Sequence, residues 1–140
     1  MANDGPVLVV GGTGFLGGQV VTELISRGKR VRALVRPASD AGRLEQAGVD
    51  IARGDMMDLP SLRQAMDGAD AVLSSAAGYT RHSKGDTEEI DTAGNRNLAD
   101  AASQAGVRRF VLTSILTCDQ TPQVPATGRL LGHDHSDGWW

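Results

Sequence analysis

Several features are scarce in this sequence, and each scarcity excludes a class of protein. There is one cysteine, Cys118, so an internal disulfide framework is excluded. No apolar run approaches the roughly 18 residues that a membrane-spanning helix needs. Lys and Arg number 14 against 17 Asp and Glu, and this net charge of −3 argues against a nucleic-acid partner. The start, MANDGPVL, lacks the basic and apolar regions of a secretory signal, and we expect a cytoplasmic protein with no membrane partner.

The sequence does contain a regular alternation of β-branched apolar runs with segments of helical period. This alternation is typical of repeated βαβ units and predicts an α/β fold with a parallel sheet. The predicted strands are Pro6–Gly12, Lys29–Arg36, Val49–Asp55, Asp70–Ala76 and Arg108–Ser114. The predicted helices are Phe15–Arg27, Ser39–Ala47, Pro60–Met66 and Thr87–Ala105.

The alternation ends after Ser114. Residues 119–140 are rich in proline, glycine, histidine and acidic side chains without a period, and we predict an irregular or disordered tail there after a domain over residues 1–118. His133 and His135 have metal-binding composition, but no second ligand cluster accompanies them, so no metal site is predicted. Trp139 and Trp140 leave open a protein partner.

The most specific segment is VLVVGGTGFLGGQVV, from Val7 to Val21. Its G-x-x-G-x-x-G spacing directly follows an apolar strand and opens an amphipathic helix. Glycine permits close backbone approach, and a helix N-terminus offers N–H groups to a pyrophosphate. We assign Gly11 to the tight turn, Gly14 to phosphate approach and Gly17 to close helix packing. Further binding groups are expected at Gly12, Thr13, Phe15 and Leu16. The alternative is a glycine turn that chain geometry alone requires.

The end of the second predicted strand indicates which dinucleotide is preferred. An acidic residue there usually holds the ribose 2′-hydroxyl of NAD. This sequence reads RALVRPAS instead, with Arg36 at the strand end and Arg32 and Ser39 nearby. A guanidinium suits the 2′-phosphate of NADP, so we predict NADP (NADPH) in preference to NAD. The alternative is a solvated arginine at a strand terminus.

Four motifs in order now carry a family resemblance. They are VLVVGGTGFLGGQVV, RALVRPAS, VDIARGDMMDLPSLRQAMDGADAVLSSAAG and IDTAGNRNLADAASQAGVRRFVLTS. Over roughly Pro6 to Ser114 the chain resembles the atypical and extended short-chain dehydrogenase/reductases, most closely the NmrA-like NAD(P)-binding group. The resemblance implies a Rossmann-like doubly wound sheet of order 3-2-1-4-5, with the cofactor at the carboxyl ends of the strands.

The resemblance also implies further cofactor contacts. Asp55 would accept from the adenine amino group, the Met56 backbone would contact the ring edge, and Asp58 would cap the next helix. The alternative for Asp55 is a turn aspartate that binds local backbone N–H groups. The turn after the fourth strand would pass beside the ribose and phosphates through Ala76, Ala77 and Gly78.

Catalysis is less clearly encoded than binding. Reductases of this superfamily commonly use a Tyr-x-x-x-Lys pair with a strand-five Ser or Thr, and no Tyr-x-x-x-Lys occurs here. Ser114 and Thr117 are the candidate hydroxyls, and Ile115 is an alternative occupant of the serine position. Family members continue beyond this strand, so we expect the C-terminal substrate region to be absent. The resemblance implies hydride transfer between NADPH and a small organic substrate; the alternatives are an NADP(H)-sensing module without turnover and an inactive truncated fragment.

Overall fold

The computed structural model of the protein describes residues 5–76 and 89–114. Its strands are β1 Val7–Val10, β2 Val31–Val35, β3 Asp50–Arg53, β4 Ala71–Ser74 and β5 Arg109–Leu112. Its helices are α1 Phe15–Ser26, α2 Gly42–Gln46, α3 Leu59–Met66 and α4 Asn95–Gln104, with a π-helical segment, Glu89–Gly94, leading into α4. Each predicted strand is confirmed, with a shorter hydrogen-bonded length. The predicted tail and the division after residue 118 fall outside the described residues.

The five strands form one parallel sheet in the order β3-β2-β1-β4-β5, as predicted. The register aligns Val10 of β1 with Leu34 of β2 on one side and with Ser74 of β4 on the other. The chain therefore adds β2 and β3 on one side of β1, and then β4 and β5 on the other. In open α/β sheets ligands bind at such a switch point, outside the carboxyl ends of the strands.

Helices cover both faces of the sheet because successive strand side chains point to opposite sides. Leu8 and Val10 of β1 lie in a core cluster with Leu62 of α3 and Leu98 of α4. Val9 points the other way, into a cluster with residues of α1 and α2. The fold is thus the doubly wound, Rossmann-like α/β fold that the sequence predicts.

The start of α2 differs from the prediction. The helix was expected from Ser39 but begins at Gly42. Residues 36–39 instead form a turn in which the Ser39 N–H donates to the Arg36 carbonyl over 3.0 Å, with Pro37 at the second position, where its fixed φ suits a turn. The Asp40 carboxylate then accepts from the Gly42 N–H over 2.8 Å. Local turn chemistry therefore delays the helix by three residues.

The last strand is the least covered part of the sheet. The side chains of Phe110, Val111 and Leu112 in β5 are exposed, whereas β1 and β2 are largely buried. Within the described residues β5 pairs only with β4, so it forms an edge.

Candidate functional site

The turn after β1 requires glycine at two positions. Gly11 has φ +87°, a left-handed conformation that favours glycine, and an added Cβ would lie 2.9 Å from the Ser75 Oγ and the Ala76 nitrogen. At Gly17 an added Cβ would lie 2.0 Å from the Gly11 carbonyl oxygen. This geometry fits the tight turn assigned to Gly11 and the close packing assigned to Gly17, and it brings the β1 and β4 turns into contact.

Gly14 and Gly12 have more space. Gly14 is the N-cap of α1, and an added Cβ would meet only the Gly11 carbonyl oxygen, at 3.3 Å. At Gly12 the nearest atom would be 3.6 Å away, so a side chain there meets only ordinary contacts. The open side of Gly14 leaves room for a ligand group against the backbone. Any contribution of Gly12 to binding comes from its main chain.

The first turn of α1 presents backbone donors. The N–H groups of Phe15, Leu16 and Gly17 have no carbonyl one turn earlier within the helix, and none has an acceptor in the described part of the chain. Thr13 is exposed beside them, as are the side chains of Phe15 and Leu16. Such donors, at the positive end of a helix dipole, suit an anionic group such as a pyrophosphate. The local chemistry therefore fits a dinucleotide.

The end of β2 carries the exposed Arg36. Over residues 5–76 and 89–114 its guanidinium has no hydrogen bond and no ion pair, although its carbonyl accepts from the Ser39 N–H and from the Arg53 Nη1. No acidic residue replaces it at the strand end, which continues as Pro37, Ala38 and Ser39. Arg36 is thus a cation available to a ligand at the carboxyl end of the sheet.

Arg32 lies near the opposite end of β2, not beside Arg36 at the strand end. Its Nε donates to Asp50 over 2.7 Å, and its Nη1 donates to the carbonyls of Ala65 and Asp67 over 2.9 and 2.8 Å. Its side chain is only 19% exposed. Four strand positions, about 13 Å along the chain, separate it from Arg36. Arg32 joins β2 to β3 and α3.

The turn between β3 and α3 is ordered by Ser61 and by Asp55 itself. The Ser61 Oγ accepts from the Asp55 N–H over 3.1 Å and donates to the Asp58 carbonyl over 2.8 Å. The Asp55 Oδ1 accepts from the Met57 N–H over 2.9 Å, which is the local turn bond considered as the alternative. Its Oδ2 has no donor among the described residues, so an adenine contact by that oxygen stays a prediction. Asp58 does occupy the N-cap of α3, but its side chain makes no capping bond, and the expected side-chain cap is wrong.

The Met56 carbonyl already accepts one hydrogen bond within the protein. The donor is the Asn97 Nδ2 of α4, over 3.0 Å, and the Met56 side chain is buried against Gly94. The Met56 N–H and the second lone pair of its carbonyl are left for the expected ring-edge contact. The sequence contains no local signal for the Asn97 bond, because it joins residues 41 positions apart.

The remaining predicted residues surround the end of β4. Ala76 is partly buried beside Gly11, whereas Ala77, Gly78 and Thr117 lie outside the described residues. Ser114 is exposed just beyond β5. Nothing in its described surroundings identifies a base, so a catalytic role for Ser114 stays a prediction. Residues 5–76 and 89–114 contain no cluster of three metal-ligating side chains and no helix long and apolar enough to span a membrane.

A parallel sheet of order 3-2-1-4-5, with a glycine turn and free helix N–H groups at its switch point, defines a Rossmann-like dinucleotide-binding domain. Comparison with known proteins makes this more specific. The sequence model of the NAD(P)H-binding family matches residues 11–134. The chain therefore belongs to the NAD(P)H-binding family, among the atypical short-chain dehydrogenase/reductases, and its cofactor is a nicotinamide dinucleotide.

Relatives of several functions share this domain. The chain is 40% identical over 110 residues to sterol demethylase protein B of Methylococcus capsulatus, covering 76% of this chain and 33% of that protein. It is 37% identical over 119 residues to photosystem II assembly factor Ycf39 of Synechocystis, covering 85% and 36%. The crystal structure of Bordetella bronchiseptica WbmG in complex with NAD superposes with a TM-score of 0.72 at 26% identity, covering 85% of this chain and 40% of that one. The chain spans about a third of the length of the curated relatives it matches.

Proposed function

We propose that this chain is the NADP(H)-binding domain of an NmrA-like oxidoreductase in which hydride passes between NADPH and a small organic substrate. The nicotinamide, when bound, supplies the hydride chemistry. The residues of this chain bind and orient the cofactor. The backbone N–H groups of Phe15, Leu16 and Gly17 hold the pyrophosphate against Gly14, and the turns after β3 and β4 border the adenosine.

The proposed NADP preference rests on the exposure, the unpaired guanidinium and the position of Arg36 in the described parts of the chain. Its guanidinium is exposed, has no partner in the described parts of the chain, and lies where an NAD-preferring domain has an acid. A fork of five N–H donors matches a phosphate dianion, whereas a ribose hydroxyl gains much less from it. Arg36 therefore discriminates the two dinucleotides at the 2′ position.

Calorimetric titration tests this proposal. The wild-type chain is expected to bind NADPH more tightly than NADH. Arg36→Ala should weaken NADPH by about tenfold to hundredfold, the equivalent of one charge-assisted hydrogen bond or more, and leave NADH nearly unchanged. An equal loss for both dinucleotides would refute the 2′-phosphate assignment. Absence of binding by either would refute a functional cofactor site in this chain.

A second candidate function is an NADP(H) sensor that binds without turnover. It is supported by the similarity to photosystem II assembly factor Ycf39, a relative whose name describes assembly and not reduction. Incubation with NADPH and a panel of aldehydes, ketones and quinones separates the two functions. A reductase consumes NADPH in the presence of one of these substrates, and a sensor binds it without consuming it.

A further inference from the structure

A second arginine, Arg53, contacts the main chain of the turn that contains Arg36. Arg53 ends β3, and the strand register pairs it with Val35, the residue before Arg36. The Arg53 Nη1 donates to the Ser39 carbonyl over 2.7 Å and to the Arg36 carbonyl over 3.2 Å. One guanidinium nitrogen thus joins the first and last residues of the turn formed by residues 36–39.

The same side chain also contacts α2. The Arg53 Nη2 lies 3.9 Å from the Glu45 carboxylate. Arg53 therefore opposes a negative charge on the helix that follows the turn.

We propose that Arg53 is a positioning residue for cofactor selectivity: it holds the turn of residues 36–39 so that Arg36 is preorganised for the 2′-phosphate. The inference rests on the proposed NADP(H) binding. Arg36 has a long, rotamer-rich side chain, and a fixed backbone beneath it lowers the ordering cost of binding. The Arg53 Nη1 is bonded to the two main-chain carbonyls of the turn, and in this proposal its effect on NADPH passes through Arg36.

A double-mutant cycle tests this coupling, with NADPH and NADH affinities as the readout. Arg53→Ala should weaken NADPH by about fivefold and change NADH by less than about twofold. Arg53→Lys, which keeps a cationic donor, should recover part of the loss. The Arg36→Ala and Arg53→Ala double variant should bind NADPH no more weakly than Arg36→Ala alone.

Arg63→Ala provides the matched control. Arg63 is an exposed arginine of α3, so the variant removes the same charge without touching the turn. It should leave both affinities unchanged. Thermal unfolding of every variant, followed without ligand, verifies that the fold is intact.

The outcomes separate this inference from the proposed function. If Arg36→Ala abolishes the NADPH preference but Arg53→Ala weakens both dinucleotides equally, Arg53 is only structural and the positioning role is wrong. If the two losses add in the double variant, Arg53 acts independently of Arg36 and the positioning role is again wrong. If the wild-type chain has no NADPH preference, both the proposed selectivity and the role of Arg53 are refuted.

Discussion

At the amino-terminal end of the sheet the side chains of Arg32 and Arg108 bind other parts of the protein, whereas at the carboxyl end the Arg36 guanidinium does not. Arg32 binds Asp50 and two carbonyls, and Arg108 binds Asp70 across the start of β4 and β5. At the other end, the first N–H groups of α1 and the Arg36 guanidinium have no acceptor in the described parts of the chain. Polar groups satisfied within the protein stabilise the fold, while groups without an acceptor are available to a ligand.

The largest expected effect is at the glycine turn after β1, because this turn both stabilises the fold and borders the proposed pyrophosphate site. Gly17→Ala places a Cβ 2.0 Å from the Gly11 carbonyl oxygen, and backbone atoms cannot move aside as a flexible side chain can. We expect a loss of about 3 kcal/mol or more of unfolding free energy, together with loss of dinucleotide binding. Denaturant unfolding and calorimetry measure the two effects.

Gly18→Ala is the control for that variant. Its added Cβ would lie 3.7 Å from the Gly12 carbonyl oxygen, an ordinary contact, and alanine is the better helix former by about 1 kcal/mol. Stability should therefore be unchanged or slightly increased. Equal stability of the Gly17→Ala and Gly18→Ala variants would contradict the packing role of Gly17.

Arg32→Ala tests the amino-terminal end of the sheet. The variant removes an ion pair and leaves the carbonyls of Ala65 and Asp67 without this donor. We expect a loss of about 2 kcal/mol of unfolding free energy, with an unchanged ratio of NADPH to NADH affinity. Arg36→Ala should do the reverse and alter the ratio with little effect on stability. A changed ratio of NADPH to NADH affinity in Arg32→Ala would contradict the assignment of cofactor selectivity to the carboxyl end of the sheet alone.

The sequence predicted most of the fold because its signals are local. Apolar periodicity and the glycines that follow the helices locate each strand and helix, and the glycine spacing identifies the turn after β1. The motif order led to the correct strand order through a family resemblance. The predicted start of α2 was three residues early because Pro37 and Asp40 favour a turn, a competing local signal that periodicity does not weigh.

The supporting contacts of the site were not predictable in this way. Arg53 and Asn97 each reach a backbone carbonyl that is distant in sequence, and their own residue types do not specify that partner. The sequence places Arg36 at the end of a strand, but the bonds of Arg32 to Asp50, Ala65 and Asp67 depend on the fold. Long-range geometry therefore decides which arginine stabilises the protein and which is available to a cofactor.

The smallest expected effect concerns Asp70, also at the amino-terminal end. Its hydrogen bond from Arg108 lowers the pKa of this carboxyl below its ordinary value of 3.8, and the charges of Arg108, Arg109 and Lys29 act in the same direction. Because the pKa is lower in the folded state, the ionised carboxylate stabilises the fold above about pH 4, and this contribution is lost as the pH falls through the folded-state pKa.

Asp70→Asn should therefore lower the melting temperature slightly at pH 7, and the difference from wild type should shrink as the pH falls below about 4. Asp100→Asn, at an exposed carboxylate of α4 with no ion pair among the described residues, is the control and should leave the melting temperature unchanged. A difference for Asp70→Asn that stays constant down to low pH would show that the ion pair with Arg108 is not its cause.

The central claim is that the dinucleotide binds at the carboxyl end of the sheet, on the donors that the protein itself does not use. Backbone amide chemical shifts, recorded by NMR during titration with NADPH, test it most directly. The largest shifts are expected at the amides from Thr13 to Gly17 and at Arg36, with little change from Lys29 to Arg32 or at Arg108 and Arg109. Shifts concentrated at the amino-terminal end, or the absence of shifts in the glycine turn at saturating NADPH, would contradict the claim.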